Sequence, residues 1–525
     1  MKHKIQSIGQ ILFLFILVMS SVFTPRPVHA APAGYSEYYL PGSTDQLFQI
    51  LKDIDNDPDL GNALGGGGTC TAAPCNRMHN VVTVSISTDN VTVYYDHWEN
   101  GYGTGSTGID ETYIVHKGDV LTFESSNIIV PRNAANTCTS TNINGASAAC
   151  YDGRDRIYVA GGAVTVAEAF WPEVTGTVFA NAWEVYPVKP YQSSYTIPVG
   201  EDLSGAPLNY TDFDQVFVIA QATQDNTNIQ IDNPATAGVE LNVTLNRGQT
   251  TQLFHVNAGT TVVGTAPLQV QFIVGQPNPG TLSDSRSYTA VPSSLWEFEY
   301  YGPVPSFGGG SNTDVFIYNP TNAPLTINYQ DNLGSGSFVI PAGATRSYQA
   351  LIGRFVPANS ALYLAASDGV THFWAIGSVN TENADFNYGF TFIPTTTLTR
   401  EYYISWAPGT TDLLNNGSPV FVTPTTDNTI VFVDYSPNDG VIDVTYTLDR
   451  IQMQRIFDPD NDNTGVHIWA TDPIAVVWGE DANAADPDNP YIDAGYSILP
   501  LNQAWIDVVL TLDKSADPSV IDLAV

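Results

Sequence analysis

Four adjacent residues after a strand-like run carry the side chains best suited to chemistry. Asp96, His97, Trp98 and Glu99 combine an imidazole, an indole and two carboxylates. Such groups can exchange protons or bind a ligand, but neighbouring side chains along a strand point to opposite faces. The segment is therefore a candidate ligand-binding loop. Acid–base catalysis and a purely structural loop are the alternatives.

Two acidic runs place carboxylates at alternate positions, as calcium-binding loops do. The first run contains Asp53, Asp55, Asp57 and Asp59, and the second contains Asp458, Asp460 and Asp462. Neither run is an EF-hand, because the glycine expected at the sixth loop position is Pro58 in the first and Asn463 in the second. Calcium is the one cofactor that the sequence suggests, and solvated acidic turns are the alternative.

The four cysteines favour two local disulfides, which join Cys70 to Cys75 and Cys138 to Cys150. An even number of cysteines in an exported chain is typical of a disulfide framework. A metal site is the alternative, although neither pair has the CxxC spacing that zinc ligands commonly show.

Short catalytic motifs are missing from the sequence, which contains no HExxH zinc motif, GxSxG nucleophile elbow or phosphate-binding glycine loop. A polysaccharide hydrolase would instead need paired carboxylates, for which Glu99, Glu168 and Glu173 are candidates. We therefore expect a protein that is not an enzyme, with a secreted hydrolase as the alternative.

The elements that must position these residues recur four times along the chain. A pair of strand-like runs around a polar turn covers residues 82–98, 216–233, 314–331 and 420–435. Each run largely alternates apolar and polar residues, as a half-buried strand does. Asp-Asn dipeptides at three of the turns bond nearby backbone readily, so each pair is predicted to form a β-hairpin.

Each pair is followed by a turn into another strand and then by a short apolar run. The first three turns contain Gly118, Gly248 and Gly343, whereas the fourth, after Leu448, has no glycine and is expected to differ in geometry. The apolar runs cover residues 163–172, 267–277, 370–378 and 473–481. They predict strands that are buried on both faces.

These repeats predict an all-β protein of four related, sandwich-like modules in tandem. The expected divisions are a signal peptide (1–30), a first repeat with disulfide-stapled insertions (31–195), three further repeats (196–295, 296–398, 399–507) and a tail or the start of another module (508–525). One amphipathic helix is predicted at residues 44–54. A β-propeller is the alternative fold, in which EYYLPG (37–42) and YSILPL (496–501) join in one sheet.

The first 30 residues and the charge of the chain predict export. A basic start, an apolar stretch and Val28-His29-Ala30 before Ala31 are typical of a cleaved signal peptide. The chain has 53 acidic and 18 basic residues, a formal charge of -35, so nucleic acid is not an expected partner. No other segment is long and apolar enough to span a membrane.

Several segments resemble known families. EYYLPG (37–42) and YYDHWENGY (94–102), with the repeated turn, resemble the N-terminal region of large bacterial secreted or surface proteins. ATQDNTNIQI and LNRGQTTQLF are more distantly similar to the N-terminal domain of the IgGFc-binding protein family, whose members are mucin-associated or adhesin-like. The tail, LTLDKSADPSVIDLAV, is similar to the start of an immunoglobulin-like surface repeat, which implies a longer parent protein or a truncated gene model.

The sequence leaves three functions open. The first is a secreted or cell-surface interaction protein that binds an extracellular glycan, matrix or protein partner through loops on a β scaffold. The second is a secreted polysaccharide hydrolase. The third is a structural spacer of a surface protein.

Overall fold

The computed structural model describes most of the chain between residues 35 and 501. The described residues are 35–55, 78–96, 98, 102, 109–124, 153–172, 181–277, 284–305, 312–380, 387–408, 419–460, 462–479 and 494–501. Outside them lie the predicted signal peptide and tail, the four cysteines, Asp57, Asp59, His97, Glu99 and Glu173. The predictions made for those residues stay predictions.

Nearly all regular structure in the described residues is β-sheet, as predicted. Thirty-two strands form eight antiparallel sheets of four strands each. The α-helices are α1 (Thr44–Asp55) and α2 (Tyr348–Ile352). Single 3₁₀ turns occur at Glu201–Leu203, Thr211–Phe213, Ser293–Leu295 and Thr395–Thr397. The predicted amphipathic helix is confirmed, because α1 covers residues 44–54 and ends one residue later, at Asp55.

The strands fall into four successive groups of eight, which we call modules 1 to 4. Module 1 contains β1 (Tyr35–Tyr39), β2 (Met78–Ile86), β3 (Val91–Asp96), β4 (Glu111–Val115), β5 (Val120–Glu124), β6 (Arg156–Ala160), β7 (Val164–Pro172) and β8 (Asn181–Val185). Module 2 contains β9 (Ser194–Thr196), β10 (Gln215–Ala222), β11 (Thr227–Asp232), β12 (Leu241–Leu245), β13 (Phe254–His255), β14 (Thr261–Gly264), β15 (Leu268–Gln276) and β16 (Asp284–Thr289).

Module 3 contains β17 (Glu299–Pro303), β18 (Asn312–Tyr318), β19 (Leu325–Asp331), β20 (Gly334–Ile340), β21 (Thr345–Ser347), β22 (Ala361–Ala366), β23 (Trp374–Asn380) and β24 (Gly389–Thr391). Module 4 contains β25 (Glu401–Tyr403), β26 (Val420–Pro424), β27 (Thr429–Asp434), β28 (Val444–Leu448), β29 (Gln454–Ile456), β30 (His467–Ala470), β31 (Ile474–Gly479) and β32 (Gly495–Ile498). The predicted boundary between residues 195 and 196 falls inside β9.

Every module repeats one arrangement of its strands in two sheets. In module 1 the outer sheet has the order β1-β6-β3-β4 and the inner sheet the order β5-β2-β7-β8, and modules 2 to 4 repeat both orders strand for strand. The inner strands β10 and β15 are buried along almost their whole length, whereas the outer strand β11 alternates in burial. The predicted sandwich modules and doubly buried strands are therefore confirmed.

The predicted β-hairpins are wrong. The two strands around each turn, such as β2 and β3, lie in different sheets, so the turn is an arch that crosses from one sheet to the other. Asn90, Asn226 and Asn428 bend the chain there with φ angles of 60°, 56° and 59°. Asparagine adopts this left-handed conformation more readily than most residues. The apolar faces of the two strands then meet across the sandwich core.

The fourth copy of the next turn keeps the geometry of the others, contrary to the prediction. Gly118, Gly248 and Gly343 have φ angles of 84°, 85° and 60°, and Ile451 has a φ angle of 74°. A β-branched residue is strained in this conformation. Contacts with module 3 hold it, since the Ile451 carbonyl accepts a hydrogen bond from the amide of Ala361 at 3.1 Å.

The last strands of the four inner sheets bring the modules together in a ring. β8 contacts β16, β16 contacts β24, β24 contacts β32, and β32 contacts β8. β1 pairs with β6 and β32 pairs with β31, so the alternative fold, in which EYYLPG and YSILPL join in one sheet, is wrong. The eight described sheets are separate and form neither a closed barrel nor a propeller.

Helix α1 fills the seam between modules 1 and 2. Its buried side chains Leu47, Ile50, Leu51 and Ile54 belong to a core that also includes Phe217, Ile219 and Ile273 of module 2. Gln46 Nε2 donates to the Thr251 carbonyl at 2.7 Å, which ties the helix to module 2. None of the helices among the described residues is long and apolar enough to cross a membrane.

One buried tyrosine fastens the two sheets of each module. The tyrosine hydroxyl on the first strand donates a hydrogen bond to a main-chain carbonyl at or next to the start of the seventh strand. The four pairs, with the donor first, are Tyr38 and Val164, Tyr195 and Leu268, Tyr300 and Phe373, and Tyr402 and Ile474. Burial raises the pKa of all four hydroxyls, so they stay protonated donors. We call this contact the tyrosine clasp.

We expect Tyr300→Phe to lower the free energy of unfolding by about 1–3 kcal/mol, because the buried Phe373 carbonyl loses its donor. Tyr329→Phe in the same module is the control, since no hydrogen bond of that hydroxyl occurs among the described residues; a change within about 0.5 kcal/mol is expected there. Urea denaturation of both variants measures the difference. Equal losses of unfolding free energy in the two variants would show that the hydrogen bond of the tyrosine clasp makes no contribution of its own.

Candidate functional site

Of the predicted ligand-binding loop, the described residues Asp96 and Trp98 lie in the seam between modules 1 and 2. Asp96 is fully buried, and Arg156 donates a hydrogen bond to its Oδ2. Nη1 of Arg156 also lies 3.6 Å from Oε1 of Glu37. Burying a carboxylate requires such a partner. The Asp96 charge is thus balanced inside the protein, which suits a structural role.

Trp98 packs against module 2. A Cβ atom added to Gly248 would come within 2.2 Å of the indole, so the ring lies directly on that glycine. The Arg154 guanidinium lies 5.2 Å above the indole, and the ring of Tyr102 meets it edge-on with a centroid separation of 5.3 Å. These contacts cover much of the surface on which a sugar ring would stack. Asp96 and Trp98 therefore meet in one seam but form no described ligand site.

The second acidic run forms a chain of turns. Carboxylate oxygens of Asp458 and Asp460 each accept a hydrogen bond, at 3.0 Å, from the amide two residues later, and Asp462 accepts one from the Thr464 amide at 2.8 Å. Burial and nearby carboxylates raise the pKa of Asp458 to about 7. Among the described residues, no group of three or more His, Cys, Asp or Glu side chains is placed to hold a metal ion. Calcium binding stays a prediction.

The described part of the first acidic run belongs to helix α1. Asp53 accepts a hydrogen bond from Gln49 Nε2 at 2.6 Å, one helical turn earlier. Its main-chain carbonyl accepts from Gln215 Nε2 at 2.9 Å. Asp55 is the last residue of the same helix. The alternating pattern expected of a calcium loop therefore runs partly along a helix, where residues two apart do not face each other.

Glu168, a predicted hydrolase carboxylate, is a structural acceptor. It is fully buried in β7, where Asn80 Nδ2 donates to one oxygen at 3.3 Å and Trp183 Nε1 to the other at 2.8 Å. These two donors satisfy side-chain oxygens that would be costly to bury without partners.

A cleft between modules 2 and 3 has the properties of a binding site. Its volume is about 270 Å³, and it lies between residues 208–212 of module 2 and parts of β18, β21, β23 and α2 of module 3. The lining residues are Leu208, Asn209, Tyr210, Thr211, Asp212, Asn312, Asp314, Phe316, Ser347, Gln349, Ala350, Phe355 and Ser378. These described lining residues thus combine carboxylates, amides and hydroxyls with aromatic rings, and none of them is basic.

Asp314 is held in the cleft by three donors. Its Oδ1 accepts from the amides of Val315 and Gln349 at 2.8 Å and 2.9 Å, and Ser347 Oγ donates to Oδ2. Burial raises the pKa of Asp314 to about 6, although these hydrogen bonds oppose the change. Strand β18 and the first turn of α2 thereby fix a carboxyl group that changes charge near neutral pH.

Asp212 supplies a second carboxylate from the other module. It lies in the 3₁₀ turn Thr211–Phe213, and Ser378 Oγ of module 3 donates to its Oδ2 at 2.6 Å. Tyr210 lies beside it and packs edge-on against Phe316 with a centroid separation of 5.3 Å. Phe355 is 40% exposed, so an apolar ring remains accessible at the cleft.

Little in the sequence points to this cleft. Its residues come from positions 208–212 and 312–378, and none belongs to a motif with recognisable catalytic spacing. The one signal was NYTDFD, where a short polar and aromatic segment interrupts the repeat between β9 and β10. Such an interruption on a regular scaffold is where binding residues often occur.

No protein-family model matches the chain, and no curated protein matches its sequence.

Two substitutions at Asp314 should distinguish the effect of its charge on stability from the effect of its hydrogen bonds. Because burial disfavours the ionised form, the stability that Asp314 contributes is complete below its unfolded pKa, about 3.9. That contribution is lost as the pH rises through the folded pKa of about 6. Asp314→Asn should therefore gain stability relative to wild type between about pH 4 and pH 7, measured by urea denaturation.

Asp314→Ala is the control for the hydrogen bonds. It leaves the amides of Val315 and Gln349 without their acceptor and should lower the free energy of unfolding by about 1–3 kcal/mol. If the difference between Asp314→Asn and wild type instead falls with rising pH, the carboxylate is stabilised in its charged form and this account is wrong.

For calcium, a bound ion would stabilise the folded chain, so the melting temperature should rise when calcium replaces a chelator. Asp460→Asn should reduce the rise, whereas Asp472→Asn, at a half-buried aspartate between β30 and β31, should leave it unchanged. A melting temperature that does not respond to calcium would remove the prediction for both acidic runs.

Proposed function

We propose that the protein is a secreted or cell-surface interaction protein that binds a glycan in the cleft between modules 2 and 3. The lining of that cleft is the observation that carries the proposal. Carboxylates and amides, such as Asp212 and Asn312, offer hydrogen-bond partners for hydroxyl groups. The rings of Tyr210 and Phe355 offer apolar surface for the C–H faces of a sugar.

The scaffold supports a binding role. Loops and a short helix on rigid sheets form the cleft, and loops on such scaffolds are where binding residues concentrate. Two modules contribute to the site, and Ser378 of one holds Asp212 of the other. Their contact therefore fixes the distance between the two walls before a ligand arrives, which lowers the entropic cost of binding.

Features of the sequence support a secreted or cell-surface location. Residues 1–30 have the pattern of an export signal, and the excess of 53 acidic over 18 basic residues suits a soluble extracellular surface. The resemblance to the N-terminal region of bacterial surface proteins, and more distantly to the IgGFc-binding family, supports the same location. An extracellular matrix or protein partner would use the same loops.

Polysaccharide hydrolysis is the second candidate, and the pair Asp212 and Asp314 favours it. Glycosidases use two carboxyl groups, one of which stays protonated near the working pH. Asp314, with its pKa raised to about 6, fits the acid, and Asp212 fits the base or nucleophile. The three hydrogen bonds that Asp314 accepts also suit a purely structural carboxylate, which makes binding the first choice.

Thermal melts with a panel of soluble polysaccharides and oligosaccharides test the proposal. A glycan that binds only the folded protein raises the melting temperature, by an amount that grows with its concentration. Asn312→Ala, at an exposed amide in the cleft, should reduce the shift without lowering the stability of the free protein. Asn328→Ala, at an exposed position of β19 in the same module, is the matched control and should leave the shift unchanged.

Each outcome separates the candidate functions. A shift that Asn312→Ala removes supports binding in the cleft. Release of reducing ends that Asp212→Asn abolishes, with the shift retained, favours the hydrolase. A shift that survives both cleft variants places binding elsewhere, and no shift with any glycan favours a protein partner or a structural spacer.

A further inference from the structure

Equivalent residues of the four modules meet where the last inner strands converge. Each follows a large aromatic residue and precedes a proline by three positions, in the segments WEVYP, YTAVP, FTFIP and YSILP. The residues are Glu184, Thr289, Thr391 and Ser497. Three modules therefore place a hydroxyl at this point, and module 1 alone places a carboxyl group there.

The three hydroxyls bond around the ring in one direction. Thr289 Oγ1 donates to the Glu184 carbonyl at 2.8 Å, and Thr391 Oγ1 donates to the Thr289 carbonyl at 3.0 Å. Ser497 Oγ donates to the Thr391 carbonyl at 2.5 Å. Each side chain thus binds the equivalent carbonyl of the preceding module. The bond that would complete the ring runs from residue 184 to the Ser497 carbonyl.

Glu184 already contacts the right segment of module 4. Its Oε2 accepts a hydrogen bond from the Leu499 amide at 2.6 Å, and the residue is 1% exposed. In an extended chain, the carbonyl of one residue and the amide two residues later point to the same side. The Ser497 carbonyl therefore lies beside the Leu499 amide, on the side that faces Glu184. A carboxylic acid fits this pair, because one oxygen accepts and the other, protonated, donates.

We propose that Glu184 carries a proton in the folded protein and closes the ring by donating to the Ser497 carbonyl, so that loss of this proton weakens the contact between modules 1 and 4. The four-module ring then has one pH-sensitive seam. If Glu184 were ionised, its negative charge would lie against the Ser497 carbonyl oxygen in a buried site. The Leu499 amide would still donate to the carboxylate, but Glu184 could no longer donate to the Ser497 carbonyl.

The surroundings of Glu184 favour the neutral form. Burial raises the pKa of Glu184 well above its usual range, and the Leu499 amide only partly opposes this effect. The titratable groups that face it are the phenols of Tyr38, Tyr402 and Tyr496, whose pKa values burial also raises. No basic side chain among the described residues contributes to the shift. Within the described part of the chain, the Leu499 amide is thus the one group found to stabilise a negative charge on Glu184.

The direction of the pH effect follows from the raised pKa. In the unfolded chain Glu184 loses its proton near pH 4.3, a typical value for glutamate, so above about that pH the folded chain holds one more proton. The stability that Glu184 contributes is complete below that pH and is lost as the pH rises through its folded pKa. Other buried acids, including Asp314, add to the same trend, so only a comparison with a variant isolates Glu184.

Glu184→Gln is the test, because a glutamine amide has the shape of the protonated acid with a permanent donor and acceptor. Melting temperatures of both proteins, from pH 4.5 to pH 9, should agree at the acid end and separate as the pH rises, with the variant higher. Hydrogen exchange of the amides of residues 494–501 should quicken with pH more in wild type than in the variant, beyond the intrinsic pH dependence.

Glu168→Gln is the matched control at a buried glutamate on the neighbouring strand. Both Glu168 oxygens accept hydrogen bonds, so an amide there loses an acceptor and should lower the melting temperature at neutral pH. Parallel pH profiles for wild type and Glu184→Gln would overturn the proposal. So would a Glu184→Gln protein that is less stable at every pH or does not fold, because the variant imitates the protonated state.

Discussion

The inner sheets must be covered on both faces, and most of the architecture follows from this constraint. One face of each inner sheet packs on the outer sheet of its own module, which leaves an apolar second face. On module 2 that face includes Phe217, Ile219 and Ile273, which join the core of module 1. On module 1, Ala167 and Ala169 join the core of module 4. A single sandwich would expose these faces to water, so four modules that cover one another are more stable than four independent ones.

The repeated turns give each seam a polar rim around this apolar centre. Arg247, in the turn of module 2, lies 5.4 Å from the ring centre of Tyr102 in module 1. Arg450, at the equivalent turn of module 4, lies 5.7 Å from the ring centre of Tyr363 in module 3. In module 3 the equivalent residue is Ala342, which cannot make this contact. The turn of module 3 thus brings no cation to the seam between modules 2 and 3, which holds the cleft. There the buried Arg286 of β16 donates instead to the Val379 carbonyl of module 3 at 3.4 Å.

Most strands and one helix could be predicted from the sequence, but their partners could not. Alternating apolar residues in segments such as 91–96 show which face is buried, whereas they do not show which strand lies alongside. An Asp-Asn turn suits both a hairpin and an arch, because Asn90 adopts a left-handed conformation in either. Ile451 could not be predicted at all, since its strained conformation depends on a contact with another module.

The candidate site shows the same limit. Asp96 and Trp98 were found by residue type, which does not reveal that Arg156 and Gly248 would cover them. The cleft was missed because Asp212 and Asp314 are about one hundred positions apart and meet only when modules 2 and 3 pack together. Both outcomes have one cause, which is that the seams are made by contacts between repeats and are not encoded within a single repeat.

The modules differ in their chemistry where equivalent positions of the repeat carry different residues. On the outer sheet of module 1, Arg156 pairs with Asp96 across two strands, and His467 faces Asp434 at the equivalent place in module 4. His467 lies 3.1 Å from Glu401 and stacks on Tyr403, whose hydroxyl donates to the Ser87 carbonyl of module 1. The guanidinium of module 1 is thus replaced by an imidazole at the equivalent place in module 4. This histidine and Glu184 both lie in the seam between modules 1 and 4, so two departures from the repeat occur at the joint that closes the ring.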